Sequence, residues 1–174
     1  MKRIAVYGGS FDPVHEGHLS ILRHLCESGE FDEVRMVVSP LSPLKDSSRD
    51  DPQIKLRNAR NIIASHPELD VIVDDIEFHL GIPYYTITTL DTIKSSNPSA
   101  AITMVIGADN LSDIHRWKDY GRILSEYGVL VFPRQGFDAE ALKSDLLCEN
   151  PAYLIRIADA PLVNISSTWI RAHS

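Results

Sequence analysis

Five short apolar runs rich in β-branched residues constrain this chain most: Ile4–Tyr7, Val34–Val38, Val71–Val73, Ile102–Ile106 and Val129–Phe132. Their apolar residues are continuous rather than alternating, the pattern of strands buried on both faces. Helical patterns separate them. Leu19, Leu22, Leu25 and Cys26 recur at helical spacing and predict a helix from about Glu16 to Ser28, closed by Gly29 at C′. Asp51-Pro52 reads as an N-cap followed by proline at N1, opening a helix to about Ser65 that His66-Pro67 ends. Tyr85–Lys94, with Ile87, Leu90 and Ile93 on one face, and Asp138–Leu147 read as two more. Such alternation predicts an α/β fold, a doubly wound parallel sheet of five or six strands with helices on both faces. Ser39–Asp51, rich in proline, serine and charge, reads as a mobile loop, and Asp75–Pro83 as an edge strand or an irregular connection.

In such sheets ligands sit beyond the carboxyl ends of the strands, where strand order reverses. The turn after the first run is Gly8-Gly9-Ser10-Phe11-Asp12-Pro13-Val14-His15-Glu16-Gly17-His18. Its glycines let backbone approach an anion closely, and a helix N-terminus offers unpaired N–H groups and partial positive charge. The spacing His15-x-x-His18 lets both imidazoles face one anion. A second station follows the fourth run, where Gly107-Ala108-Asp109-Asn110 places a carboxylate able to accept from ribose hydroxyls. Trp117, downstream, offers a ring face for stacking, with core packing as the plain alternative. Near the end, Ile165-Ser166-Ser167-Thr168-Trp169-Ile170-Arg171 combines a helix cap, hydroxyls and a guanidinium, a second anion site. Arg134, after the fifth run, reads equally well as a ligand or a solvated arginine.

With 174 residues and a net charge of -7, the chain has room for one sizeable core and lacks the basic balance of a general nucleic-acid binder. A local cluster of His, Lys and Arg can still hold a small anion. Cys26 and Cys148 have no metal-ligand spacing and read as reduced thiols. No apolar run approaches membrane-spanning length and no secretory pattern opens the chain, so a cytoplasmic protein without a membrane partner is expected.

The pattern G-x-F-D-P-x-H-x-G-H resembles the nucleotidyltransferase superfamily, whose hallmark is H-x-G-H. Ile165–Arg171 is similar to the I-S-S-T-x-I-R signature of its nicotinate/nicotinamide mononucleotide adenylyltransferase branch. Gly107-x-Asp109 with Trp117, and Arg134 before Gly136, match the same branch. So does Tyr85-Thr86-Ile87-Thr88-Thr89-Leu90, with Thr88 where Asp is usual. The resemblance runs from residue 4 to residue 171 and implies a single Rossmann-like nucleotidyltransferase domain over 1–174. It implies transfer of the adenylyl group of ATP to nicotinate mononucleotide, giving deamido-NAD and pyrophosphate. Nicotinamide mononucleotide or another phosphorylated small molecule as acceptor, and a catalytically weak nucleotide-binding module, remain alternatives. So does assembly into a homo-oligomer.

The implied catalytic residues are His15, His18 and Arg171. ATP falls to Gly8, Gly9, Ser10, Phe11, Lys45, Gly107 and Asp109, together with Ile165, Ser166, Ser167 and Thr168. Tyr85, Thr86, Trp117 and Arg134 are left for the mononucleotide. Magnesium (Mg2+) is expected to ride on the ATP phosphates without protein ligands. The chain departs from the family at Pro43-Leu44-Lys45, where P-P-H-K is common, and it stops at Ser174 where family chains usually continue.

Overall fold

The structure is a computed structural model that describes residues 1–40 and 51–160. Lys45, most of the expected loop and the whole station from Ile165 to Arg171 lie outside the described residues.

The chain runs β1 (Arg3–Gly9), α1 (Glu16–Glu27), β2 (Glu33–Val38), α2 (Pro52–Ala64), β3 (Val71–Asp74), α3 (Thr86–Ser96), β4 (Ala101–Gly107) and α4 (Ala108–Ser112). It continues with α5 (Tyr120–Arg122), which runs into a π-helical turn (Ile123–Tyr127), then β5 (Val129–Phe132), α6 (Ala139–Glu149) and β6 (Ile155–Ile157). All five expected strands are present. The sixth, β6, carries only three residues, too few to stand out as an apolar run. Asp75–Pro83 holds a 3-10 turn at Ile76–His79 and no strand.

The helix boundaries follow the local chemistry. Asp51 accepts a hydrogen bond from Gln53 N–H at 2.9 Å and caps α2, with Pro52 at its first position. Gly29 takes φ +71° just past α1, a conformation that disfavours a Cβ. Asp138 caps α6 by accepting from Ala141 N–H at 3.1 Å.

The six strands form one sheet in the order β3-β2-β1-β4-β5-β6, and every neighbouring pair is parallel. Strand β1 lies at the centre, with Tyr7 between Met36 of β2 and Val105 of β4. Its residues alternate between two cores. Ile4 and Val6 join Leu90 and Ile93 of α3 and Leu111 of α4 on one face. Ala5 and Tyr7 join Leu22 and Leu25 of α1 and Leu56 and Ala59 of α2 on the other. Burial on both faces explains the unbroken apolar runs. Strand order reverses between β1 and β4, and the turns leaving these two strands feed α1 and α4 on opposite faces. A crevice therefore opens between the Gly8–His18 turn and the Gly107–Asp109 turn.

Candidate active site

The glycine–histidine turn is shaped from beneath. A Cβ on Gly9 would rest against the Phe11 ring at 3.4 Å, so the ring lies directly beneath the glycine backbone. Phe11 has φ +47° and is 4% exposed, with its ring edge-on to Tyr7 and to His18 at centroid distances of 5.4 and 4.9 Å. Phe11, expected along the ATP path, is thus a buried wedge under His18, while Gly8, Gly9 and Ser10 are half-buried at the end of β1.

The two histidines cap α1 reciprocally. Gly17 N–H donates to Nδ1 of His15 at 3.0 Å, and His15 N–H donates to Nδ1 of His18 at 3.1 Å. The rings stack with centroids 3.7 Å apart and planes 18° from parallel. Because each Nδ1 accepts, the proton of each neutral imidazole sits on Nε2, so both rings present an N–H donor away from the helix. Burial holds both rings in this neutral form. It pushes His18 down to about 3, helped by His15 and then Arg134. For His15 burial again lowers the pKa, Arg134 adds to this, and Glu16 opposes it. The same burial raises the phenol of Tyr7.

Arg134 is therefore a member of this cluster, which settles where its guanidinium stands. Its Nε lies 3.7 Å from Oδ1 of Asp109, too far for a hydrogen bond. Both atoms are buried without a hydrogen-bond partner among the described residues. Asp109 does not cap α4 with its side chain; it turns toward the arginine instead. Gly107 makes room for the pair: a Cβ there would collide with the Asp109 carboxylate and come within 3.0 Å of Arg134 Nε. An unmet donor and an unmet acceptor thus sit beyond β4 and β5, with the donor's charge reaching the imidazoles.

The remaining expected residues gather at the start of α3. Tyr85 is its N-cap residue and is 39% exposed, and Thr86 is half-buried. Lys118 Nζ stands 4.7 Å from the centre of the Tyr85 ring, a cation–π contact that brings the Trp117–Lys118 segment against α3. Trp117 is half-buried and packs against the first core. Lys118 was missed from sequence, although its position next to Trp117 was a usable sign. Between the 11–14 turn and α2 lies a cleft of about 230 Å³ lined by Asp12, Lys55, Asn58 and Asn61. Lys55, 4% exposed on the apolar face of α2, was also missed; the sign was its spacing of four from Ala59.

A parallel sheet ordered 3-2-1-4-5-6, with anion donors gathered over its reversal point, defines a nucleotide-handling α/β protein. More particularly, the chain belongs to the cytidylyltransferase-like family, whose model matches residues 6–173, and within it to the nicotinate-nucleotide adenylyltransferases. It is 37% identical over 171 residues to a Flavobacterium johnsoniae protein named "Probable nicotinate-nucleotide adenylyltransferase", covering 97% of this chain and 84% of that one. A Bacteroides fragilis protein of the same name is 38% identical over 170 residues, covering 97% and 80%. Among solved structures, Plasmodium falciparum nicotinic acid mononucleotide adenylyltransferase complexed with NaAD shares the fold, with a TM-score of 0.79 at 21% identity over 99% of this chain and 83% of that one.

Proposed function

We propose that this protein transfers the adenylyl group of ATP to nicotinate mononucleotide, forming deamido-NAD and releasing pyrophosphate. The observation that carries the proposal is the stacked His15–His18 pair, held neutral with both Nε2–H donors free of the helix, beside the Arg134 guanidinium. The names of the relatives above, and of the Plasmodium structure, support nicotinate as the pyridine.

The chemistry asks for little else. A phosphate monoester has its second pKa at about 6, so the mononucleotide is already an ionised nucleophile and needs no general base. What the protein supplies is alignment and charge stabilisation. In this reading His15 and His18 donate to the ATP phosphates, with His18 toward the α-phosphate, where negative charge builds. Arg134, beside them, neutralises part of that charge. Asp109 accepts from ribose hydroxyls, and Tyr85, Thr86 and Trp117 receive the pyridine nucleotide. Ser166, Ser167, Thr168 and Arg171 would hold the leaving pyrophosphate, and Lys45 would add charge from the loop.

Imidazole N–H groups and a guanidinium fit phosphate oxygens and not a cation, so magnesium belongs on the ATP phosphates, where it supplies charge neutralisation. Among the described residues no helix is long and apolar enough to cross a membrane, and a cytoplasmic setting, with residues 1–174 as a single domain, completes the proposal.

The test is pyrophosphate release with ATP and each mononucleotide side by side. Nicotinate mononucleotide should be turned over with the higher kcat/KM. Release with neither acceptor, or a clear preference for the amide, would reject the assignment.

A further inference from the structure

Lys118 stands at the corner of a tight turn beside the proposed pyridine station. Tyr120 N–H donates to the carbonyl of Trp117 at 3.2 Å, which closes the turn, and Asp119 within it takes φ +54°. Aspartate tolerates this left-handed region better than most residues, but the surroundings still have to hold it there. They do so through Glu149 at the end of α6. Its Oε1 accepts from the Tyr120 hydroxyl at 2.6 Å, and its Oε2 lies 2.9 Å from Nε2 of His115. One carboxylate therefore grips the chain on both sides of Trp117, whose half-buried ring packs against the first core. Lys118, exposed on this fixed turn, holds its ammonium 4.7 Å from the centre of the Tyr85 ring. Its partner there is a ring face, in contrast to nearby Arg122, which Asp91 and Glu126 hold.

We propose that Lys118 is a specificity-determining residue: its ammonium pairs with the carboxylate on the pyridine ring and so makes the site favour nicotinate over nicotinamide mononucleotide. The inference rests on the reading above, in which Tyr85 and Trp117 receive the pyridine. The two acceptors have nearly the same shape and differ by one full charge, so a cation at the ring substituent separates them directly. The chain as a whole works against the acid, because its net charge of -7 repels the extra negative charge. A local cation at the station reverses that sign. A cation over an exposed ring is held weakly, so the ammonium turns to an arriving carboxylate at small cost. Charge-assisted hydrogen bonds are stronger than neutral ones, and aromatic neighbours displace part of the water that would otherwise screen the pair.

Turnover by the wild-type enzyme tests the underlying reading by itself: inactivity with nicotinate mononucleotide, or a preference for the amide, rejects that reading. With a wild type that prefers nicotinate, the readout is the ratio of kcat/KM for nicotinate mononucleotide to that for the amide. Where amide turnover is too slow to follow, the ratio of the amide's Ki as a competitor to the nicotinate KM takes its place. Lys118→Met, which keeps the stem without the charge, should lower the ratio about tenfold, and Lys118→Glu should lower it further. Lys118→Arg, which keeps the charge, should hold it within about threefold of wild type. Arg116→Met removes a charge two positions away and should leave it within about twofold, since distant exposed charges are screened. Rising salt should erode the ratio in wild type and barely move it in Lys118→Met. A Lys118→Met variant that loses turnover of both acceptors in equal proportion would have lost only the geometry of the turn, and that result would overturn the proposal. So would an arginine variant as poor as the methionine one, or an Arg116→Met variant that lowers the ratio as far as Lys118→Met does.

Discussion

At His18 the two ring nitrogens divide their tasks: one caps the helix, and the other is the donor that the proposed function assigns to phosphate. Nδ1 accepts from His15 N–H at the helix start, and this leaves Nε2 as the donor. The arrangement has a consequence for stability. The folded state holds His18 near a pKa of about 3, well below the unfolded value near 6.5. Between these values the unfolded chain binds a proton on this residue that the folded chain does not. Folding free energy from His18 is therefore intact above about pH 6.5 and falls as the pH drops toward 3, by up to roughly 1.4 kcal/mol per pH unit. His15, shifted the same way, adds to the trend. His18→Asn keeps an acceptor for the cap but cannot titrate. Urea unfolding at pH 7, 6 and 5 should show the variant losing stability less steeply than wild type, by close to one proton. Parallel slopes would mean that His18 is not held neutral.

At the scale of elements, Leu90 shows how the helices are held. It is fully buried in α3 and lies in the core shared with Ile4, Val6 and Leu111. Leu90→Ala should cost roughly 2–5 kcal/mol by lost burial plus the cavity left behind, measured by chemical denaturation. Because Tyr85, proposed to receive the mononucleotide, caps α3, any residual activity should show a raised KM for the mononucleotide rather than for ATP; an effect on ATP alone would detach α3 from the proposed acceptor station. The first five strands and helices α1, α2, α3 and α6 were legible because continuous apolar runs and capped, periodic helices are local signals, whereas α4 and α5, of five and three residues, were too short to show a period. Strand β6 was not legible either, since three residues carry no period, and the Ile76–His79 turn offered no alternation to read. The same division holds at the site. His15, His18, Gly107 and Asp109 stood in or just after turns that leave strands, where a parallel sheet places its ligands. The company of Arg134 and the contact of Lys118 with Tyr85 arise between segments far apart in sequence, and no spacing encodes them.

For the whole molecule, the crevice lies on the seam between two halves of one sheet. Helices α1 and α2 pack on one face of the sheet and α3, α4 and α6 on the other, each core drawing on strands from both halves. A ligand spanning the Gly8–His18 turn and the Gly107–Asp109 turn binds only when both halves are folded and docked, so its binding energy adds to the cooperative stability of the fold. At a hundred times its Kd such a ligand stabilises by about 2.7 kcal/mol. For a chain of this size, at about 2–4 °C per kcal/mol, that corresponds to a rise in Tm of roughly 5–11 °C. On the proposed reading, magnesium would decide how much of this ATP delivers. The net charge of -7 disfavours a bare triphosphate, and an ion on the phosphates would remove most of that penalty. Thermal unfolding with ATP and magnesium should therefore show the full shift, ATP with a chelator a smaller one, and magnesium alone almost none, as expected of an ion held through the nucleotide. A large shift with magnesium alone would place the metal on the protein, and equal shifts with and without chelator would remove it from the complex.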